Sequence, residues 1–374
     1  MLKLVYNIYT ISKIKPGMMM KSIYKGLSLA TTSIMGAIAI GTFTELPAKA
    51  ATLNFGEMYV FGDSLSDTGN IFTLTDGAFP PSTIPDVPSP YWNGRTSNGP
   101  LWIDYLANEL GLNPTLAFAP SFPANGLNFA FNGATTGTEN TTDDQEQFQA
   151  LNLTFPGLSD QIDAFEAYNT FRPTHPDALY VIWAGANDYL GGGQIDPTVP
   201  VNNLSDAVTD LYNVGARNFL LLNLPRLGEA PIADFNPFDP ENDIDNDALN
   251  TLITFHNQGL NLAVAGLNQN LTGANISLFN VASLFDGAIA NPGQYGFTNV
   301  ADSCFSLATG TICNDPNYLF WDFVHPTTKA NQLIASGAYA QLKADAESVP
   351  EPSATLALAG LGVGLLVKKT KAKK

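Results

Sequence analysis

Four short segments of this chain carry residue types that together could do acyl chemistry. Phe61-Gly62-Asp63-Ser64-Leu65-Ser66-Asp67-Thr68-Gly69-Asn70 offers a serine hydroxyl beside carboxylates. Asn128-Phe129-Ala130-Phe131-Asn132-Gly133-Ala134 offers a glycine, and Gly185-Ala186-Asn187-Asp188 offers a side-chain amide. Phe320-Trp321-Asp322-Phe323-Val324-His325-Pro326-Thr327 places a carboxylate three residues before an imidazole. Ester cleavage needs a nucleophile, a base, a group that orients the base, and donors for the oxyanion. Each fragment alone has a plainer reading. Gly-Asp-Ser can be a tight turn with a helix cap, Asn-Asp a turn, and Asp-x-x-His a helix start.

A serine hydroxyl is inert without a base, and the chain has three histidines. His175 lies in Arg172-Pro173-Thr174-His175-Pro176, a turn entering a strand, on the edge away from Ser64. A surface role is expected there. His256 lies inside an expected helix, where a solvated or capping role is the default. Asp322 is close enough to His325 to hold its tautomer.

The elements that must position these groups alternate. Apolar, β-branched runs predict strands at Glu57–Phe61, Leu127–Phe131, Ala178–Trp183, Asn218–Leu224 and Ile276–Val281. Helical patterns fall at Leu101–Leu110, Ser159–Tyr168, Leu204–Val214, Asp247–Leu267 and Thr327–Lys343. Strand alternating with helix argues a mostly parallel five-stranded sheet covered on both faces. In such sheets function sits at the carboxyl ends of the strands. The segments holding Ser64, Gly133 and Asn187 each follow an expected strand, and the Asp322–His325 segment precedes the last expected helix.

Together and in this order, the four segments resemble the signature blocks of the GDSL esterase/lipase family, the SGNH hydrolases. The resemblance covers residues 57–345. Asn93-Gly94-Arg95-Thr96-Ser97-Asn98-Gly99-Pro100, Gly215-Ala216-Arg217 and Asn223-Leu224-Pro225 support it, as does Cys313 through Asp322. It implies a three-layer α/β/α sandwich of flavodoxin-like type and a serine esterase or lipase. It also implies Ser64 as nucleophile, His325 as base and Asp322 as orienter, although in some members a backbone carbonyl assists the histidine. The implied oxyanion donors are the Ser64 and Gly133 backbone N–H groups and the Asn187 side-chain amide. Glycine lets backbone approach a substrate closely, and an amide donates without adding a competing charge. Asn132 stands where the family often has the first glycine of a Gly-Gly pair, and the second, Gly133, aligns with the implied oxyanion donor. Asp63 and Asp67 are read as carboxylates that hydrogen-bond the Ser64 turn, and Asp188 as an organiser of the Asn187 loop. No cofactor is needed and no metal site is assigned. An acyltransferase working through the same acyl-enzyme, or an inactive surface-binding module, remains an alternative.

Charge bounds the partners of this body, and the two chain ends lead to the expectation that it lies outside the cytoplasm. The chain has 374 residues, 45% of them hydrophobic, with a formal net charge of −17. That is enough apolar material for a core, and nucleic acid is an unsuitable partner for so acidic a chain. Six of the 17 basic residues precede residue 51 and five more fall in the last seven positions. Between them, residues 51–349 hold six basic and 32 acidic residues. Lys21 and Lys25, an apolar stretch Leu27–Phe43 and Ala48-Lys49-Ala50 read as a signal peptide over 1–50, with Met20 as a possible start. The hydrolase domain is expected over 51–347. Residues 348–374 contain Pro350-Glu351-Pro352, an apolar run Ala354–Val367 and a lysine-rich end. As a helix, the run spans about 21 Å, short of a ~30 Å bilayer core. The segment resembles a PEP-CTERM sorting signal, which implies processing by an exosortase-type enzyme after signal peptidase. Membrane contact is expected only through it. The expected location is the periplasm, cell surface or medium. Cys304 and Cys313 are the only cysteines, and in an exported chain such a near pair most simply forms a disulfide. The acidic stretch Asp239, Glu241, Asp243, Asp245, Asp247 lacks the glycine and closing Glu of a calcium-hand loop, so a solvated helix-capping loop is preferred over calcium. The substrate classes left open are small esters, lipids and acetylated glycans.

Overall fold

A computed structural model describes residues 53–77, 79, 90–117, 125–145, 148–149, 152–173, 175–233 and 245–348. The expected signal peptide, the apolar C-terminal run and acidic positions 239–243 lie outside the described residues. Among the described residues, no helix is long and apolar enough to cross a membrane.

The first strand, β1 (Met58–Gly62), is buried along its whole length. Helices α1 (Asn70–Leu74) and α2 (Trp102–Glu109) follow, then β2 (Thr115–Leu116) and β3 (Gly126–Asn128). Next come α3 (Leu158–Phe171), β4 (Leu179–Trp183), α4 (Ala186–Leu190), α5 (Thr198–Asn213) and β5 (Asn218–Leu222). The chain continues through α6 (Asn246–Asn270), β6 (Asn275–Phe279), α7 (Val281–Ala290) and α8 (Pro292–Tyr295). Short strands β7 (Asn299–Ser303), β8 (Phe305–Ser306), β9 (Thr311–Ile312) and β10 (Tyr318–Phe320) lead to α9 (Thr328–Ser348).

The central sheet has six strands in the order β2-β3-β1-β4-β5-β6, all parallel. Without its β2 edge, the order is the flavodoxin-like 2-1-3-4-5. The expected five strands are all present, and β2 is a sixth. Two residues are too few to show any alternation, which is why the sequence reading passed over β2. The last central strand ends at Phe279 rather than Val281, because Asn280 caps α7 by accepting from the Ser283 N–H.

Side-chain alternation splits the core in two. Met58, Val60, Val181 and Leu220 face one side with α2, α7 and α9, while Tyr59, Phe61, Ile182 and Leu221 face the other with α3 and α5. A strand buried on both faces reads as a continuous apolar run, and β1 and β4 do so. This is the three-layer sandwich that the sequence implied.

Candidate active site

Ser64 stands just beyond the carboxyl end of β1, in a turn held by its own carboxylates. Asp63 accepts from the Leu65 N–H, and Asp67 accepts from the N–H groups of Gly69, Asn70 and Ile71. Asp67 also accepts from Asn132 at 3.1 Å, so one buried carboxylate ties the Ser64 turn to the Gly133 loop. Asn70 completes that tie by donating to the carbonyls of Asn128 and Ala130. Both aspartates serve the backbone, as expected. Burial pushes the Asp63 carboxyl up to about 7, against hydrogen bonding and the neighbouring His325.

His325 closes the arrangement from 261 residues away, with its Nε2 2.8 Å from Ser64 Oγ. Its Nδ1 lies 2.8 Å and 2.9 Å from the two Asp322 oxygens. Asp322 is fully buried, and its Oδ1 also accepts from the Val324 and His325 N–H groups. Burial would raise this carboxyl, but His325 and these hydrogen bonds outweigh it and hold it below its ordinary range. An ionised carboxylate only accepts, so Nδ1 of His325 carries a proton. In the neutral ring Nε2 is then an acceptor, and Ser64 Oγ–H donates to it.

Two further ties were not read from the sequence. Tyr91 donates to Asp322 Oδ2 at 2.8 Å across 231 residues of chain. Thr96 donates to the Ser64 carbonyl and Ser97 to the Pro326 carbonyl, so the 91–97 segment clasps both the serine and histidine loops. The Asn93–Pro100 stretch was noticed only as a supporting motif. No local pattern around Tyr91 points to a partner so distant. Tyr91 packs with Phe305, Trp321 and Cys304, beside a Cys304–Cys313 disulfide. The bridge joins residues nine apart, which contributes about 2–3 kcal/mol in the chain-entropy account.

The three expected oxyanion donors line one cavity with Ser64 and His325. Gly133 sits at φ +79°, and a Cβ there would come 2.1 Å from Thr142 Oγ1 and 2.4 Å from Asn140 Oδ1. Only glycine fits both the conformation and the space. Among the described residues, neither the Ser64 N–H nor the Gly133 N–H has a protein acceptor. Asn187 donates one amide hydrogen to the Ala134 carbonyl at 3.0 Å, which leaves the other available. Asp188 turns away from its own loop and takes the Thr136 hydroxyl and N–H at 2.6 Å and 2.9 Å. It organises the junction with the Gly133 loop more than the Asn187 turn itself.

The cavity has a volume of about 840 Å³. One wall is apolar, formed by Leu227, Ile232, Leu249, Phe285, Ile289 and Phe323. That volume falls in the range of small-molecule sites. No group of His, Cys, Asp and Glu able to hold a metal occurs among the described residues. Asp245, at the described end of the acidic stretch, caps α6 by accepting from Ala248.

The other two histidines part ways. His175 is 56% exposed, beside Gly56 at the amino end of the sheet, as expected. His256 overturns its expected solvated or capping role, because it is fully buried. It falls on the α6 stripe of Leu249, Ile253, Leu260 and Val264, and that helical spacing was the available signal. Burial pushes its imidazole down to about 4. An unfolded histidine titrates near 6.5, so between about 4 and 6.5 the unfolded chain binds more protons and folding weakens as pH falls. The window amounts to about 3 kcal/mol at 1.36 kcal/mol per unit. In calorimetry, the fall in melting temperature from pH 7 to pH 4.5 should be smaller in His256→Leu than in the parent. Parallel curves would remove His256 from the acid response.

The family model for GDSL-like lipase/acylhydrolase matches residues 58–338. The chain belongs to this family. Relatives within and beside it differ in what they are named for. A phosphatidylcholine-sterol acyltransferase of Aeromonas hydrophila is 31% identical over 67% of this chain and 66% of its own length. A thermolabile hemolysin of Vibrio parahaemolyticus is 26% identical over 75% of this chain and 62% of its own. The match thus spans somewhat under two thirds of each of these two proteins. An acetylesterase of Thermothelomyces thermophilus is 27% identical over 83% of this chain and 96% of its own length.

Proposed function

We propose that this chain is an exported carboxylic-ester hydrolase working through an acyl-enzyme on Ser64. The observation that carries the reading is the unbroken hydrogen-bonded line from Asp322 through His325 to Ser64, with links of 2.8 Å, opening on an apolar-walled cavity. Ser64 Oγ attacks the ester carbonyl while His325 Nε2 takes its proton. Asp322, held by Tyr91 and two backbone N–H groups, keeps Nδ1 protonated and balances the imidazolium. The tetrahedral oxyanion is met by the Ser64 and Gly133 N–H groups and the Asn187 amide. His325 returns its proton to the leaving alkoxide, and water repeats the sequence to free the acid.

The apolar wall of Leu227, Ile232, Phe285 and Ile289 favours esters with an acyl chain longer than acetyl over acetylated glycans. Acyl transfer to an alcohol is a second reading, supported by the relative named as an acyltransferase and by the chemistry of an acyl-enzyme, whose carbonyl an alcohol can attack in place of water. Export rests on the basic and apolar chain ends together with the disulfide, with signal peptidase and an exosortase-type enzyme as processing partners. The test uses p-nitrophenyl esters of increasing acyl length beside Ser64→Ala. Turnover that rises with chain length beyond acetate and vanishes in the variant is expected. Turnover that survives Ser64→Ala would overturn the reading.

A further inference from the structure

The proposed oxyanion amide of Asn187 sits on a helix too short to hold itself in place. Helix α4 has five residues and no side-chain N-cap. A single turn has almost no stability of its own, so its placement depends on ties to its neighbours. On the side of the Gly133 loop those ties are the Asn187–Ala134 and Asp188–Thr136 hydrogen bonds. Toward α6 there is a different one. Tyr189 Oη lies 2.9 Å from His256 Nδ1, and the rings meet edge to face at 5.7 Å.

His256 also touches the turn that enters α4. Gly185 has φ +126°, and a Cβ there would lie 3.2 Å from His256 Cε1 and 3.6 Å from Nε2. The imidazole therefore fills the corner between the Gly185 backbone and the Tyr189 phenol. Its Nε2 is buried without a hydrogen-bond partner among the described residues. A buried orphan nitrogen costs stability, and an apolar side chain of similar size would avoid that cost. The Tyr189 phenol keeps its proton, since burial and the nearby Asp188 and Asp196 carboxylates push its ionisation upward.

We propose that His256 and Tyr189 are positioning residues that set the roll of α4 and so aim the free hydrogen of the Asn187 amide at the oxyanion. This rests on the reading of Asn187 as an oxyanion donor. Tilting so short a helix moves its amide directly, and an oxyanion donor works only within hydrogen-bond distance of the developing charge. His256 lies outside the cavity lining and Tyr189 within it, so a loss confined to kcat marks action through the Asn187 amide on the transition state.

The test measures kcat and KM on a p-nitrophenyl ester at pH 8, in the parent and in an Asn187→Ala background. His256→Leu and Tyr189→Phe should each lower kcat about 10–50-fold with KM within about twofold, a fraction of what a whole donor contributes. His256→Asn, which keeps a neutral hydrogen-bonding group near the Nδ1 position, should recover kcat to within about threefold. In the Asn187→Ala background, the same substitutions should change kcat by less than about twofold, as expected of groups acting as a unit. Equal losses in both backgrounds would mean the pair only supports the fold, and would overturn the proposal while leaving Asn187 in its role. An Asn187→Ala enzyme with full kcat would overturn both. If His256→Leu does not fold, Tyr189→Phe, which deletes one atom, decides the matter by itself.

Discussion

His325→Ala should lower kcat by about 10⁴–10⁶-fold, the range seen when a triad base is removed. Its Nε2 is the group 2.8 Å from Ser64 Oγ, and among the described residues no other side chain is hydrogen-bonded to that hydroxyl. Ser64→Ala should cost as much. The double variant should be no worse than either single one, because nucleophile and base act as a unit. His175→Ala should stay within about twofold, since that ring is solvent-exposed at the far edge of the sheet. Steady-state assays with an active-site titration of the parent would read all four. A multiplicative double loss, or a dead His175→Ala enzyme that is still folded, would remove His325 from the role of base.

The second large effect is expected at Asn187. Asn187→Ala should lower kcat by about 10²–10³-fold with KM little changed, because in the proposed mechanism its amide serves a charge that exists only in the transition state. Asn187→Asp should be worse still, since it keeps the shape but sets a carboxylate beside a developing anion. Near-ultraviolet circular dichroism would separate this from unfolding. Burial at the site is compatible with either residue, because Asn187 is only half-buried. A KM rise with unchanged kcat would make Asn187 a ground-state contact instead.

The reach of the sequence ended where contacts became long-range. The segments holding Ser64, Gly133 and Asn187 drew attention because each follows an expected strand of a parallel sheet, and such strands end on one edge. That logic needs only local pattern and chain order; the roles expected of these residues came from the family resemblance. Asp322 was tied to His325 by a three-residue spacing that a turn can bridge, as the hydrogen bonds from the Val324 and His325 N–H groups to Asp322 show here. The role of Tyr91 was not legible, because its partner Asp322 is 231 positions away and a phenol in a loop carries no local signature. Strand β2 was too short to show alternation. His256 was legible in principle, since its spacing from Ile253 and Leu260 puts it on the buried stripe of α6. Histidine is amphipathic, so its type suggested solvent where its position dictated burial.

The residue types and their order along the chain were enough to determine the alternating α/β architecture and the acidic character of the body, and to single out Ser64 and three histidines as candidates. These depend on local propensity, on period-2 and period-3.6 patterning, and on composition. Only the tertiary structure decided which of three histidines meets Ser64, that Asp67 and Asn70 lock the Ser64 turn to the Gly133 loop, that Tyr91 completes the Asp322 site, and that His256 lies under the Asn187 helix. Those are contacts between elements far apart in sequence. They are selected by how the three layers pack, and short-range pattern carries no record of that choice.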